Sequence, residues 1–248
     1  MNHSVRDDDQ PELLSRLRVA IVHYWFVKFR GGERVLEELA GIFPQADIFT
    51  LVLDREALPP SLRSRKFTTS FLQQIPGAKR HYQKFLLLLP LALEQFKLDQ
   101  YDLVISSESG PAKGVLTRPY TCHICYCHTP MRYIWDMYHG YRAVAPGGVL
   151  GRAFFSLVAS YVRLWDYASS ARVDYFIAGS HNVASRIAKY YRREAEVIYP
   201  PVHVSSFSIG ESAEDFYLVV SPLVDYKRVD LAISACNAMR RRLIDRRR

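Results

Sequence analysis

Apolar positions along the chain come in short runs separated by stretches of helical spacing. Leu17-Arg-Val-Ala-Ile-Val-His23 is a compact run with β-branched residues, the pattern of a strand buried on both faces. From Glu33 to Phe43, Val35, Leu36, Leu39, Ala40 and Phe43 recur at helical spacing, and Pro44 stops the helix. Further strands are predicted at 47–53, 101–106, 122–127, 174–178 and 196–199. Between them, Phe154, Val158, Tyr161 and Trp165 share a helix face, with Phe155 and Val162 beside it. Residues 182–191 form another helix, with Ser180 as its cap. Strand–helix alternation of this kind predicts an α/β fold with a parallel sheet. The chain shows no internal repeat.

The pattern also sets the organisation. Residues 1–16 read as a polar leader and 17–204 as one α/β domain. Pro200-Pro201 and the polar segment that follows mark a linker, placed at 205–215. At 216–248 a new unit opens, with a buried-strand pattern at Phe216–Ser221 and a helix at Arg228–Met239 that has Val229, Ile233 and Cys236 in register. One strand and one helix cannot bury a core. This unit is therefore expected either to pack on the first domain or to be the start of a second one.

Composition changes this picture little. The formal net charge is +8, but Arg240–Arg248 holds six Arg and one Asp, leaving +3 for the rest. No helix-turn-helix, zinc-finger or RNP pattern accompanies the basic charge, so no nucleic-acid partner is expected. Three of the four Cys crowd into 122–127, unlike a secreted disulfide framework. The polar start lacks export character, and the aliphatic run Phe85–Leu93 contains Pro90 and is too short to span a bilayer. A cytoplasmic protein is expected.

Four segments carry candidate chemistry. Gly31-Gly32-Glu33 sits between the first strand and first helix, where bare backbone N–H groups and a helix N-terminus suit an anion. It is not a dinucleotide fingerprint, and on the local residues alone a plain tight turn is the better account. Cys122-His-Ile-Cys-Tyr-Cys-His128 contains metal-ligand residue types. Strand alternation nevertheless splits them between two faces, which favours buried core cysteines over a zinc site. His128 stands apart, at the C-terminal end of its strand, where open α/β sheets place ligands. Asp7-Asp8-Asp9 reads as a solvated charge run. Residues 63–96 combine Arg63, Arg65, Lys66, Lys79, Arg80 and Lys84 with aliphatic positions. They read either as peripheral contact with an anionic membrane or as a helical pair packed on the sheet.

Taken together, several stretches resemble the family-4 retaining glycosyltransferases, in particular their bacterial mannosyltransferase-like branch. They are Ile21-Val-His-Tyr-Trp25 with Gly31-Gly-Glu-Arg-Val-Leu36, Thr69-Ser-Phe-Leu72, Tyr101–Ser107 with Ala112-Lys-Gly114, and Cys127–Asp136. Ser180-His-Asn-Val-Ala184, Val197–Val202 and Val219–Ala232 complete the set. The resemblance implies two Rossmann-like domains about a cleft, with the acceptor on the N-terminal one and the nucleotide-diphosphate sugar on the other. It implies hexosyl transfer, commonly from GDP-mannose, to a saccharide or lipid-linked acceptor in surface polysaccharide synthesis, without a metal or other cofactor. By the same resemblance, His128 is the catalytic candidate, and Gly31, Gly32, Glu33, Arg132 and Lys227 are donor- or acceptor-binding candidates. Pro222 stands where the family has an Arg after its Ser. The Glu-x7-Glu region of the second domain has no counterpart before residue 248, so a truncated, inactive transferase is expected. The alternatives are an acceptor-binding module that works with a separate donor-binding partner, and a generic nucleotide-binding α/β protein.

Overall fold

The structure is a computed structural model that describes residues 14–210, 214–221, 223–224 and 227–246. Asp7-Asp8-Asp9 and Pro222 lie outside the described residues. The chain divides into two compact units, one running to Pro201 and one beginning at Val202.

The first unit is built on a seven-stranded sheet: β1 (Val19–His23), β2 (Asp47–Thr50), β3 (Phe67–Thr69), β4 (Leu103–Glu108), β5 (Cys122–Cys127), β6 (Tyr175–Ala178) and β7 (Glu196–Val197). Every pairing is parallel, in the order β3-β2-β1-β4-β5-β6-β7. This is a Rossmann-like α/β fold. Its strand order reverses between β1 and β4, which opens a crevice at their C-terminal ends.

Both faces of the sheet are covered, which explains the unbroken apolar runs. In β1, Val19 and Ile21 pack on one side with Leu36 and Ala40 of helix α1 (Gly31–Ile42). Ala20 and Val22 pack on the other side with Phe49, Leu89 and Leu93. Each of the larger of these side chains, Val, Ile, Leu and Phe, contributes about 1.5–3 kcal/mol when fully buried. Helix α2 (Gly148–Ser170) buries Val158, Ala159 and Val162. Helix α3 (His181–Tyr191) buries Val183, Ile187 and Tyr191, and its Ser180 cap accepts the Val183 N–H at 3.3 Å.

Several expectations are corrected. The short strand β3 was not visible in the sequence, because three half-buried residues give no run of their own. Residues 63–96 do not form a helical pair. They hold β3 and short helical turns, among them Ala78–His81, which follows Gly77 at φ 76°, and Leu89–Glu94, with Pro90 in its first turn. On α2, Phe154 and Tyr161 are exposed, while Val158 is buried with Trp165 packed beside it, so the four do not share an inward face.

The second unit holds β8 (Tyr217–Val220), α4 (Val229–Ala238) and β9 (Leu243–Arg246), with β8 and β9 paired in parallel. Two readings change here. Tyr217, Leu218 and Val220 of β8 are each about half exposed rather than buried. The Arg-rich segment contains a strand, because Leu243 and Ile244 complete the edge of β8. In α4, Val229 and Cys236 are buried and Ile233 is exposed.

Candidate active site at the strand switch point

The crevice between β1 and β4 gathers the chemistry-bearing side chains of the first unit. His23 ends β1 and is in register with Ser107 of β4. His128 follows β5 immediately. Gly31 and Gly32 open α1, so the helix N-terminus stands beside the same edge. A Cβ on Gly32 would lie 3.2 Å from the Tyr24 hydroxyl and 3.4 Å from His128 Nε2. A side chain there would need Tyr24 or His128 to give by a few tenths of an ångström. Gly31 meets nothing within 4 Å and is open to solvent.

His128 Nε2 lies 3.1 Å from Ser107 Oγ, and its ring packs 5.2 Å from that of Tyr126. Tyr126 is fixed in turn by donating its hydroxyl to the Ile198 carbonyl at 2.8 Å. Burial, reinforced by the neighbouring His23 and opposed by Glu33, pushes His128 down to about 4. The imidazole is thus neutral at pH 7, suited to giving or taking a hydrogen bond rather than to charge pairing.

Glu33 is turned inward and only 4% exposed. It accepts the Arg30 N–H at 2.9 Å, which organises the turn into α1. Burial alone would raise its pKa. The His23 ring, 3.9 Å from Oε1, and the backbone N–H groups of Glu33 and Arg30 outweigh burial, and the carboxyl lies below its ordinary value. His23 itself is fully buried, with neither ring nitrogen hydrogen-bonded. Burial and then the Glu33 charge raise the Tyr24 phenol above its ordinary value.

Arg132 lies half-buried in the loop after His128, with its carbonyl accepting the Met137 N–H at 2.9 Å. That loop is clamped from α3. Arg186 donates to Thr129 Oγ1 at 2.9 Å and to Asp136 Oδ2 at 2.6 Å. Behind it lies a fully buried ion pair, Lys113 with Asp166. Asp166 Oδ2 also accepts Trp135 Nε1 at 2.8 Å and the Tyr191 hydroxyl at 3.0 Å. One carboxylate thus ties the loops after β4 and β5 to α2 and α3.

The structure therefore brings Gly32, Glu33 and His128 together and places Arg132 on the adjoining loop. Lys227 belongs to the second unit, where it is exposed just before α4. His23, Tyr24, Ser107, Lys113 and Asp166 were not singled out individually in the sequence. For His23, Tyr24, Ser107 and Lys113 the signal was position alone, at or beyond strand ends, and Asp166, inside α2, gave none. The crowded cysteines are core residues: Cys125 and Cys127 pack with Phe176 and Ile187, and His123 sits 3.0 Å from Ser106 Oγ. Among the described residues no group of three or more His, Cys, Asp or Glu could hold a metal ion.

The family model for Glycosyltransferase Family 4 matches residues 29–206, which include α1, His128 and the clamped loop. The chain belongs to glycosyltransferase family 4. Membership makes a sugar donor and an acceptor the substrates of this glycosyltransferase domain. Lys227 lies beyond the matched stretch. No curated protein matches the chain. Among the described residues no helix is long and apolar enough to cross a membrane.

Proposed function

We propose that the matched domain is the acceptor-side domain of a retaining hexosyltransferase of the mannosyltransferase-like kind. Its donor would be a nucleotide-diphosphate sugar such as GDP-mannose. Its acceptor would be a saccharide or lipid-linked saccharide of surface polysaccharide synthesis. The observation that carries this reading is the approach of Gly32 to His128 and Tyr24 at the strand switch point. A bare helix N-terminus for a diphosphate and a neutral imidazole for a sugar hydroxyl meet there within contact distance.

In this reading the N–H groups of Gly31 and Gly32 stabilise charge growing on the leaving nucleotide diphosphate. His128 holds a hydroxyl near the reacting carbon, with its ring oriented by Ser107. Glu33 keeps the turn in place and does not touch substrate. Arg132 and Lys227 would contact the anionic parts of the substrates, Lys227 from the donor side. No metal or other cofactor is called for.

A cavity of about 260 Å³ beside the crevice supports an acceptor of this type. It is lined by Trp25, Gln83, Leu86, Tyr133, Tyr141 and Phe155, flat rings and one amide that suit sugar faces and an apolar tail. Peripheral contact with the inner, anionic membrane face through residues 63–96 belongs to the same reading. The exposed Leu87, Leu88 and Leu91 near Lys84 and Arg80 support it.

A second reading is an acceptor-binding module that relies on a separate donor-binding partner. The test is transfer of labelled hexose from GDP-mannose and UDP-hexoses to lipid-linked acceptor. It is run with the 248-residue chain alone and with a supplied donor-binding domain. Transfer only in the second case supports the acceptor-side reading. Ordinary turnover by the chain alone removes it.

A further inference from the structure

Helix α2 is apolar on two opposite sides. Its inner face packs on the first unit through Val158, Ala159 and Val162. Its outer face carries Leu150, Phe154, Leu157, Tyr161 and Leu164, exposed by 83, 62, 73, 49 and 70%. With the exposed Ala168, these positions advance by four and three residues in turn, the spacing of a helix-pairing seam rather than of a solvated surface. A helix that is apolar all round is ordinarily enclosed, and an uncovered stripe of this length marks an interaction site.

We propose that this stripe pairs with the same stripe of a second copy, making an antiparallel α2–α2 dimer about a twofold axis near Ala159. The residues are self-complementary in that arrangement. Phe154 meets Leu164, Leu157 meets Tyr161, and Leu150 meets the small Ala168. The exposed side chains amount to on the order of 700 Å² per copy, close to the ~800 Å² each partner buries in a stable complex.

The borders of the stripe decide between a second copy and a lipid surface. A helix lying on an anionic membrane carries Lys or Arg along the edges of its apolar face. Here the bordering positions are Ala153, Ser160 and Tyr167 on the open side, with Gly151, packed on the Pro146 carbonyl, Val158 and Trp165 on the other; none is charged. Arg163 turns away to donate to the Ile134 carbonyl at 2.7 Å and lies over the Trp135 ring. Asp166 is buried in its ion pair. Small uncharged borders let two helix backbones approach, and they bring no like charges together across a twofold axis.

The experiment is sedimentation equilibrium of the full chain across the micromolar range, for the wild type and for Leu157→Glu. Leu157 is exposed, so the variant keeps the fold, which circular dichroism checks. The expected result is a wild-type dimer whose Kd rises at least about 100-fold in Leu157→Glu. Independently, Ser160→Cys should form a disulfide between copies on mild oxidation, because the two Ser160 side chains meet at the axis. Tyr120→Cys, 96% exposed elsewhere, should not. The native background is low, since Cys125, Cys127 and Cys236 are buried and Cys122 is half-buried. A wild type that stays monomeric overturns the proposal. So does a dimer that survives Leu157→Glu and gives no Ser160→Cys link. A monomer whose binding to anionic phospholipid vesicles is lost in Leu157→Glu assigns the stripe to the membrane and also overturns it.

Discussion

A hydrogen atom at Gly32 leaves room for the Tyr24 hydroxyl and the His128 ring, and its neighbour Gly31 has no such constraint. The two therefore separate under the same substitution. Gly31→Ala is expected to leave acceptor binding unchanged and to raise stability by up to about 1 kcal/mol, since Ala is the better helix residue. Gly32→Ala must displace Tyr24 or His128 by a few tenths of an ångström. It should lower stability and shift the His128 ring resonances, read by chemical denaturation and by NMR. A second prediction concerns His123, fully buried and pushed down to about 4, chiefly by burial. Its folded pKa lies below the unfolded value of about 6.5, so the fold holds the neutral form. Stability is whole above that unfolded value and is lost as pH falls towards 4. Between about pH 7.5 and about pH 5 the loss from this residue is about 2 kcal/mol. His128 adds loss over the same window, and Glu33 adds more below its ordinary value of 4.5. Urea unfolding at the two pH values checks this, with a flatter dependence expected in His123→Gln. His128, Gly31 and Gly32 were legible in the sequence because their residue types stand at strand and helix ends. His23 and Ser107 were not, because no local pattern tells which distant strand will lie alongside.

Among the elements, the loop from His128 to Asp136 depends on its supports. Asp166, fully buried, accepts from Lys113, Trp135 and Tyr191. Lys113→Met leaves a buried carboxylate without its cation and is expected to cost about 3–5 kcal/mol. The double variant Lys113→Met, Asp166→Leu should recover much of that loss. Equilibrium unfolding of the single and double variants decides whether the pair acts as a unit. Strands β1, β4 and β5 were readable because double-sided burial demands continuous apolar runs. The helical-pair reading of residues 63–96 failed because their aliphatic content follows no single period. The segment folds into short turns that only the surrounding packing fixes. The α2 error has a different cause. Apolar residues lie on two sides of that helix, so spacing alone could not say which side meets the sheet.

For the molecule as a whole, the strand order shows a Rossmann-like fold and the family match a glycosyltransferase domain, whose working edge the proposed reading puts at the β1/β4 crevice. The acceptor-side reading adds that this edge, and His128 within it, holds the saccharide. Calorimetric titration with lipid-linked saccharides, for the wild type and His128→Ala, tests that claim most directly. The account predicts saturable binding by the wild type and at least about 10-fold weaker binding by His128→Ala, with the fold unchanged by circular dichroism. Equal affinity in the two proteins would contradict it.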